Sequence, residues 1–364
     1  MTKAVTGPYE DVSKSELIQR IGSVKDKLGP ELLVLAHHYQ SQEIVDQGDF
    51  SGDSFALSKK AAEQEGVRYI VFCGVQFMAE SAAILARQDQ AVFIPHTEAG
   101  CPMADMVDAS LAEKAWNDIG EVVPLDKVVP LTYVNSNADV KAFCGRNGGA
   151  ACTSSNAAQV FDWAFQKAEK ILFMPDEHLG RNTAAARGTG PVALFEPGKK
   201  LGCLDPATVH SSPCLVWKGY CSVHTHFTSE MVEKARQKRP GCKVIVHPEC
   251  PREVVSEADA SGSTEQIIAY TKEQAEGSTV VIGTETNLVK RLARRFEGTK
   301  TVVPLSESKC EDMSRITLAN LCMVLEGILK GPGGWTNEVT VAPDIKKDGA
   351  LALRRMLDIV SGQG

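Results

Sequence analysis

The stretch 243–250 reads KVIVHPEC, and 261–277 reads SGSTEQIIAYTKEQAEG. Val244, Ile245 and Val246 make a β-branched run suited to a strand covered on both faces. The run stops at His247, Pro248, Glu249 and Cys250, of which His247, Glu249 and Cys250 can move protons or bind metals. Ser263 and Gln266 then have the spacing of a capping box, the start of a helix. Strand, polar triplet, loop, hydroxyl and helix together make a βα unit, and this order decides the fold because it recurs upstream.

The first copy ends its strand, in ELLVLAHHY, at His37-His38-Tyr39. Ser54 follows His37 by seventeen residues, in SGDSFALSKKAAEQEG, as Thr264 follows His247 by seventeen. The middle copy ends its strand at Tyr133-Val134-Asn135 and reaches Ser154 after twenty-one residues, in TSSNAAQVFDWAFQKAEK. Later in each copy a third apolar stretch leads to a cysteine. Cys101 lies 64 residues after His37, Cys310 lies 63 after His247, and Cys221 lies 88 after Tyr133. The added length of the middle copy falls mainly in a Gly/Pro-rich insert at about 187–213.

We therefore expect an α/β chain of three repeats, over 1–107, 108–226 and 227–330, with a C-terminal tail and helix over 331–364. Each repeat is expected to be a three-layer α/β/α unit with a largely parallel sheet. Ligands of such sheets bind outside the carboxyl ends of the strands. Three units about a pseudo-threefold axis would aim those ends at one central active site.

The bulk composition restricts the function classes. The chain has 364 residues, 43% of them apolar and 23% charged, which suits a globular protein with a sizeable core. A net charge of −7 argues against a general nucleic-acid or acidic-membrane binder. The first twenty residues lack the apolar stretch of a secretory signal, and no later run has the length of a membrane span. We expect a cytoplasmic protein with no membrane or nucleic-acid partner. Eleven cysteines, odd in number and irregularly spaced, fit a disulfide framework badly. Most, such as Cys73 and Cys322, read as small buried hydrophobes, leaving a few as ligands.

The strand ends would line the cavity with His37, Tyr39, Tyr133, Asn135, His247 and Glu249. Ser54, Ser154 and Thr264 stand at or near helix N-termini, where free N–H groups and the helix dipole favour anions. Three such ends suit a ligand with several negative groups, although helix capping alone also explains a hydroxyl there. Cys101, Cys221 and Cys310, one per repeat, would offer three thiolates and an open fourth position, for iron–sulfur or zinc. A competing zinc site could draw on Cys203, His210, Cys214, Cys221, His224 and His226, which crowd into 24 residues without a finger spacing.

From about residue 30 onward the chain resembles the quinolinate synthase family, the A protein of bacterial NAD biosynthesis. LAHHYQ, GDSFALSK, GVQFMAESAAIL, CPMADM, YVNSNADVKA and CTSSNA carry the likeness in order, followed by PDEHLGRNTA, WKGYCSVH, HPEC, SGSTEQII, IGTETNLVKRLA and CEDMSRITLANL. The resemblance implies three pseudo-equivalent α/β units around one 4Fe–4S cluster, with ligands at Cys101, Cys221 and Cys310 and one iron open. It implies condensation of iminoaspartate with dihydroxyacetone phosphate to quinolinate, with loss of phosphate and two waters. Contacts to iminoaspartate then fall to His37, Ser54, Tyr133, Val134, Asn135, Ser154, His247, Pro248, Glu249 and Thr264. Glu249 is expected as the general base, with Tyr39, His247 and Tyr133 relaying protons or orienting the intermediate. His224, three residues after Cys221, is expected either in the site or supporting the ligand loop. The instability of iminoaspartate implies a functional link to an L-aspartate oxidase or dehydrogenase.

Some members carry C-x-x-C-x-x-C ending at the third ligand, whereas this chain has PLSESKC, so no dithiol switch is expected there. Cys250, Cys203, Cys214 and His38 take no role from the resemblance. Two other readings stand beside it: a zinc-dependent lyase or aldolase acting on a phosphorylated ketone, and an iron–sulfur redox sensor or carrier.

Overall fold

The computed structural model describes Tyr9 and residues 11–362. Residues 1–8 and 10 of the expected first repeat, and 363–364 of the expected tail, lie outside the described residues. The chain divides into two compact units, Met1–Cys101 with Cys310–Val341, and Pro102–Lys309 with Ala342–Gly364. The fold is α/β, with three parallel sheets and helices packed around them.

The sheet of the first unit contains β1 (Leu32–His37), β2 (Phe50–Gly52), β3 (Tyr69–Cys73) and β4 (Ala91–Phe93), in the order β2-β1-β3-β4. Every residue of β1 is buried, as its unbroken apolar run requires. Phe72, Phe77 and Phe93 are fully buried around this sheet. Each contributes about 1.5–3 kcal/mol relative to an exposed ring.

The second unit holds two sheets. One contains β5 (Val128–Tyr133), β6 (Ala150–Cys152), β7 (Lys170–Met174), β8 (Val192–Phe195) and β9 (Cys214–Trp217), in the order β6-β5-β7-β9-β8. The other contains β10 (Lys243–Val246), β11 (Ala260–Ser261), β12 (Thr279–Gly283) and β13 (Thr301–Pro304), ordered β11-β10-β12-β13. The first and last sheets share one topology. The middle sheet is the same with β8 added at the edge, so the Gly/Pro-rich insert supplies a strand as well as loop. Its Phe195 is buried and stacks on Trp217 at 5.8 Å.

The repeat extends to single hydrogen bonds. Asp49 and Val34 exchange two bonds, the Val34 N–H donating to the Asp49 carboxylate at 2.7 Å and the Asp49 N–H donating back to the Val34 carbonyl at 2.8 Å. Asp259 and Val244 do the same at 2.7 and 2.8 Å. Each aspartate pairs with a cation from the preceding helix: Lys25, from Lys14–Leu28, with Asp49 at 2.6 Å, and Arg236, from Ser229–Lys238, with Asp259 at 3.1 Å. The middle sheet has Pro130 and Gly149 at these places, given that Leu131 pairs with Ala150. Proline offers no N–H, so an acceptor there would have no donor. The space is closed instead, since a Cβ on Gly149 would lie 1.8 Å from the Pro130 carbonyl oxygen. The Gly149 carbonyl accepts from Arg355 on the helix Pro343–Ser361, which also crosses Gly145 closely enough that a Cβ there would meet Asp348 O at 1.9 Å.

Among the described residues, no helix is long and apolar enough to cross a membrane.

Candidate active site

In the first unit, His37 is the last residue of β1 and is buried. Its Nδ1 accepts the backbone N–H of Tyr39 at 3.2 Å, and the two rings meet edge to face at 4.8 Å. With Nδ1 accepting, a neutral ring carries its proton on Nε2. Ser54 is the first residue of the helix Ser54–Ala62, and the cap is Asp53, whose carboxylate accepts from Ala56 N–H at 2.9 Å. The Ser54 hydroxyl is therefore not the capping group. Cys101 and Cys310 are half-buried and stand three residues ahead of short helical turns, Ala104–Met106 and Met313–Arg315. The Cys310 carbonyl accepts from the N–H and hydroxyl of Ser314 at 3.1 and 3.0 Å.

The second unit brings Tyr133, His224, His247 and Glu249 into one buried group. Glu249 Oε1 accepts from Tyr133 Oη at 2.5 Å, and Oε2 meets His224 Nδ1 at 3.0 Å. His224 Nε2 in turn meets Thr284 Oγ1 at 3.2 Å. A carboxylate only accepts, so His224 donates from Nδ1 and, when neutral, accepts from Thr284 at Nε2. The His247 ring stacks on His224 at 4.2 Å, and its Nδ1 accepts the Glu249 N–H at 3.3 Å. The bond repeats that of Tyr39 to His37.

The electrostatics follow from burial. Desolvation would raise the Glu249 carboxyl, but the imidazoles of His224 and His247 and the bonds from His224 and Tyr133 outweigh it, holding its pKa at about 2. Burial and then the neighbouring His224 push His247 down to about 3, so it is neutral. Its Nε2–H is a donor that carries no charge. Asp176, fully buried, is pushed up first by burial and then by the charge of Glu249.

Thr264 opens the helix Thr264–Glu273, while the cap is Ser263 in the full capping box with Gln266. The Thr264 hydroxyl is buried with no hydrogen-bond partner among the described residues, and so are Asn135 Oδ1 and Thr153 Oγ1. An unmet polar atom in a buried place is costly, and a ligand is one way of meeting it. Ser154 lies in the turn before the helix Ala157–Lys167, half-buried, in a loop held by the Thr153 N–H donating to Asn156 Oδ1 at 2.7 Å. Val134 is buried, its N–H on the Cys152 carbonyl at 2.7 Å, and Pro248 is half-buried.

One set of three metal-capable groups was found among the described residues: Cys221, His224 and Glu249, with ligand atoms within 4.8 Å of one another. Cys221 is half-buried and precedes the single turn Ser222–Thr225, which carries His224. Cys203, His210, Cys214 and His226 do not join this set. Cys214 is buried in β9, Cys203 is exposed, and His226 Nε2 lies 3.0 Å from Ser306 Oγ. Cys250 packs in the core with Phe227, Val244 and Val254, and burial raises its thiol, so it offers no thiolate. Burial likewise raises Cys73 and Cys214 to about 12 and Cys322 to about 11. Cys101, Cys221 and Cys310 are the cysteines of intermediate exposure, which suits ligation.

Sequence reasoning missed Thr284, Asn182 and Asp176. Thr284 directly follows β12, the strand-end position that exposed the other site residues. Asn182 shares the buried face of its helix with Leu179 and Thr183, and a polar residue in such a stripe was the available signal.

The family model described as quinolinate synthetase A protein matches residues 19–358. The quinolinate synthase of Acidobacterium capsulatum is 46% identical over 357 residues, covering 96% of this chain and 95% of the relative. That of Rhodopirellula baltica is 43% identical over 370 residues, covering 97% and 93%. That of Streptomyces coelicolor is 43% identical over 358 residues, covering 96% and 90%.

Proposed function

The chain belongs to the quinolinate synthetase A family, and from that premise we propose that it condenses iminoaspartate with dihydroxyacetone phosphate to quinolinate, phosphate and two waters, in NAD biosynthesis. The observation that carries the chemistry is the buried sequence Tyr133, Glu249, His224, Thr284, drawn from three strand ends and the turn after Cys221, beside a neutral His247.

Glu249 is the proton-moving group. In the free site Tyr133 and His224 hold it ionised. A substrate oxygen that takes over the Tyr133 hydroxyl removes one donor and raises the proton affinity of the carboxylate, which then accepts a proton during enolisation and ring closure. Tyr133 relays or orients at the same oxygen. Nε2–H of His247, and that of His37, donates to a substrate oxygen. The unmet Thr264 hydroxyl and Asn135 carbonyl oxygen bind polar groups of iminoaspartate, with Val134 and Pro248 shaping the contact. Ser54 and Ser154 hold anionic groups at helix starts, and Tyr39, packed against His37, orients the intermediate.

The thiols of Cys101, Cys221 and Cys310 would hold one 4Fe–4S cluster per chain, which would supply Lewis-acid chemistry toward a substrate oxygen. Their half-buried placement in loops fits such ligation. We read the chain as three repeats, over 1–107, 108–226 and 227–330, followed by the 331–364 segment, with the site at their strand ends. A reducing, cytoplasmic setting would keep these three thiols available as ligands. An L-aspartate oxidase or dehydrogenase would supply the unstable imine.

The Cys221, His224 and Glu249 set favours a second reading, a zinc-dependent lyase. Against it, both His224 nitrogens already have partners, so zinc would have to displace one. Iron, zinc and acid-labile sulfide per chain, measured without oxygen, separate the two. About four iron and four sulfide, lost when any of the three cysteines becomes Ser, with quinolinate formed from both substrates, are expected. Zinc without sulfide would overturn the cluster reading.

A further inference from the structure

The helix Glu177–Ala186 ties together two loops that carry the site. At its start the Glu177 N–H donates to the Gly219 carbonyl at 2.8 Å, two residues before Cys221. Gly219 approaches so closely that a Cβ there would lie 2.4 Å from Pro175 O. Further along the helix, Asn182 Nδ2 donates to the carbonyls of Pro248 and Cys250, each at 2.9 Å. These two carbonyls flank Glu249. Both are acceptors, so only the NH2 end of the amide can serve both, which fixes its orientation. Asn182 is buried at a position where packing alone would place an apolar side chain.

We propose that Asn182 is the positioning residue of Glu249. Its amide pins the 248–250 turn so that the carboxylate oxygens stay on Tyr133 and His224, and its helix spans from this turn to the Cys221 loop. The inference rests on Glu249 being the proton-moving group.

The test uses two variants of the full chain with its cluster assembled. N182D removes both donors and sets a carboxylate against two carbonyls, while N182S retains one donor. Steady-state quinolinate formation is expected to show kcat lowered about tenfold in N182S and about a hundredfold in N182D, with KM within about twofold of the parent and iron content unchanged. A kcat for N182D within about threefold of the parent, or a raised KM at unchanged kcat, overturns the proposal. If N182D does not fold, N182S decides alone, and a loss below about twofold overturns it. If the parent forms no quinolinate, the functional reading fails separately, and amide exchange at Glu249 and Cys250 decides the clamp. Exchange about tenfold faster in N182S upholds it, and an unchanged rate overturns it.

Discussion

At the end of β1 the Tyr39 N–H donates to His37 Nδ1 over 3.2 Å, and at the end of β10 the Glu249 N–H donates to His247 Nδ1 over 3.3 Å. Behind each lies the same exchange of bonds, Asp49 with Val34 and Asp259 with Val244. Two places past the histidine the side chains part company. In one copy the side chain is a phenol edge-on to the imidazole, in the other a carboxylate between a phenol and a second imidazole. The scaffold holds the histidine and its tautomer through the backbone N–H two places on, so the side chain at that position can change without disturbing the bond.

If that division is right, changing the variable position costs turnover and leaves the scaffold intact. E249Q is expected to lower kcat by a hundredfold or more at unchanged iron and sulfide, and Y39F by about tenfold, both measured by quinolinate formation. Equal losses would break the comparison. Loss of the cluster in E249Q would make Glu249 structural.

The scaffold position should behave in the opposite way. D49A and D259A each strip an acceptor from a strand N–H and a partner from a cation, and each is expected to cost about 1–2 kcal/mol in denaturant unfolding. A cost in one copy only would show that the repeat is geometric without being energetic.

Acid sharpens the contrast. The folded pKa of His247, about 3, lies below its ordinary 6.5, so between these values the unfolded chain binds a proton that the folded chain refuses. Stability therefore falls as pH falls through that window, by up to about 1.4 kcal/mol per pH unit. Glu249, held at about 2 against an ordinary 4.5, acts in the same direction lower down, its stabilisation being lost as pH falls through that range. Unfolding of the parent and H247Q from pH 6.5 to 4.5 should show the slope flattened in the variant.

The smallest effect concerns the two helix starts. T264V removes a buried hydroxyl with no partner among the described residues, so stability should rise by about 1 kcal/mol while KM rises. S54A, at a half-buried position, should leave stability within about 0.5 kcal/mol. A fall in stability for T264V would mean that its hydroxyl has a structural partner.

Much of this was legible in the chain. The long strands announce themselves as buried apolar runs, and the polar triplets mark their ends because the apolar pattern stops there. β2, β6 and β11 are invisible because two or three residues, such as Ala260 and Ser261, carry no period of their own and become strands by pairing. β8 hid among glycines and prolines. Spacing found the hydroxyls of Ser54 and Thr264, and Ser263 with Gln266 already read as a capping box, whereas Asp53 as the cap beside Ser54 emerges only in the fold. Asn182 escaped because its partners are carbonyls, which no side-chain pattern reveals.

β8 also sets one cysteine loop apart from the other two. The strand before Cys221, β9, is interior, bonded to β7 on one side and β8 on the other. The strand before Cys101, β4, is bonded to β3, its Val92 carbonyl accepts the Val339 N–H, and the adjoining Ile94 N–H donates to the Asn337 carbonyl. The strand before Cys310, β13, pairs among the described residues with β12 alone. Edge strands open more readily than interior ones. In metal-free protein, iodoacetamide should therefore reach Cys310 first, Cys101 next and Cys221 last, and deleting the insert's strand should bring Cys221 level with Cys101.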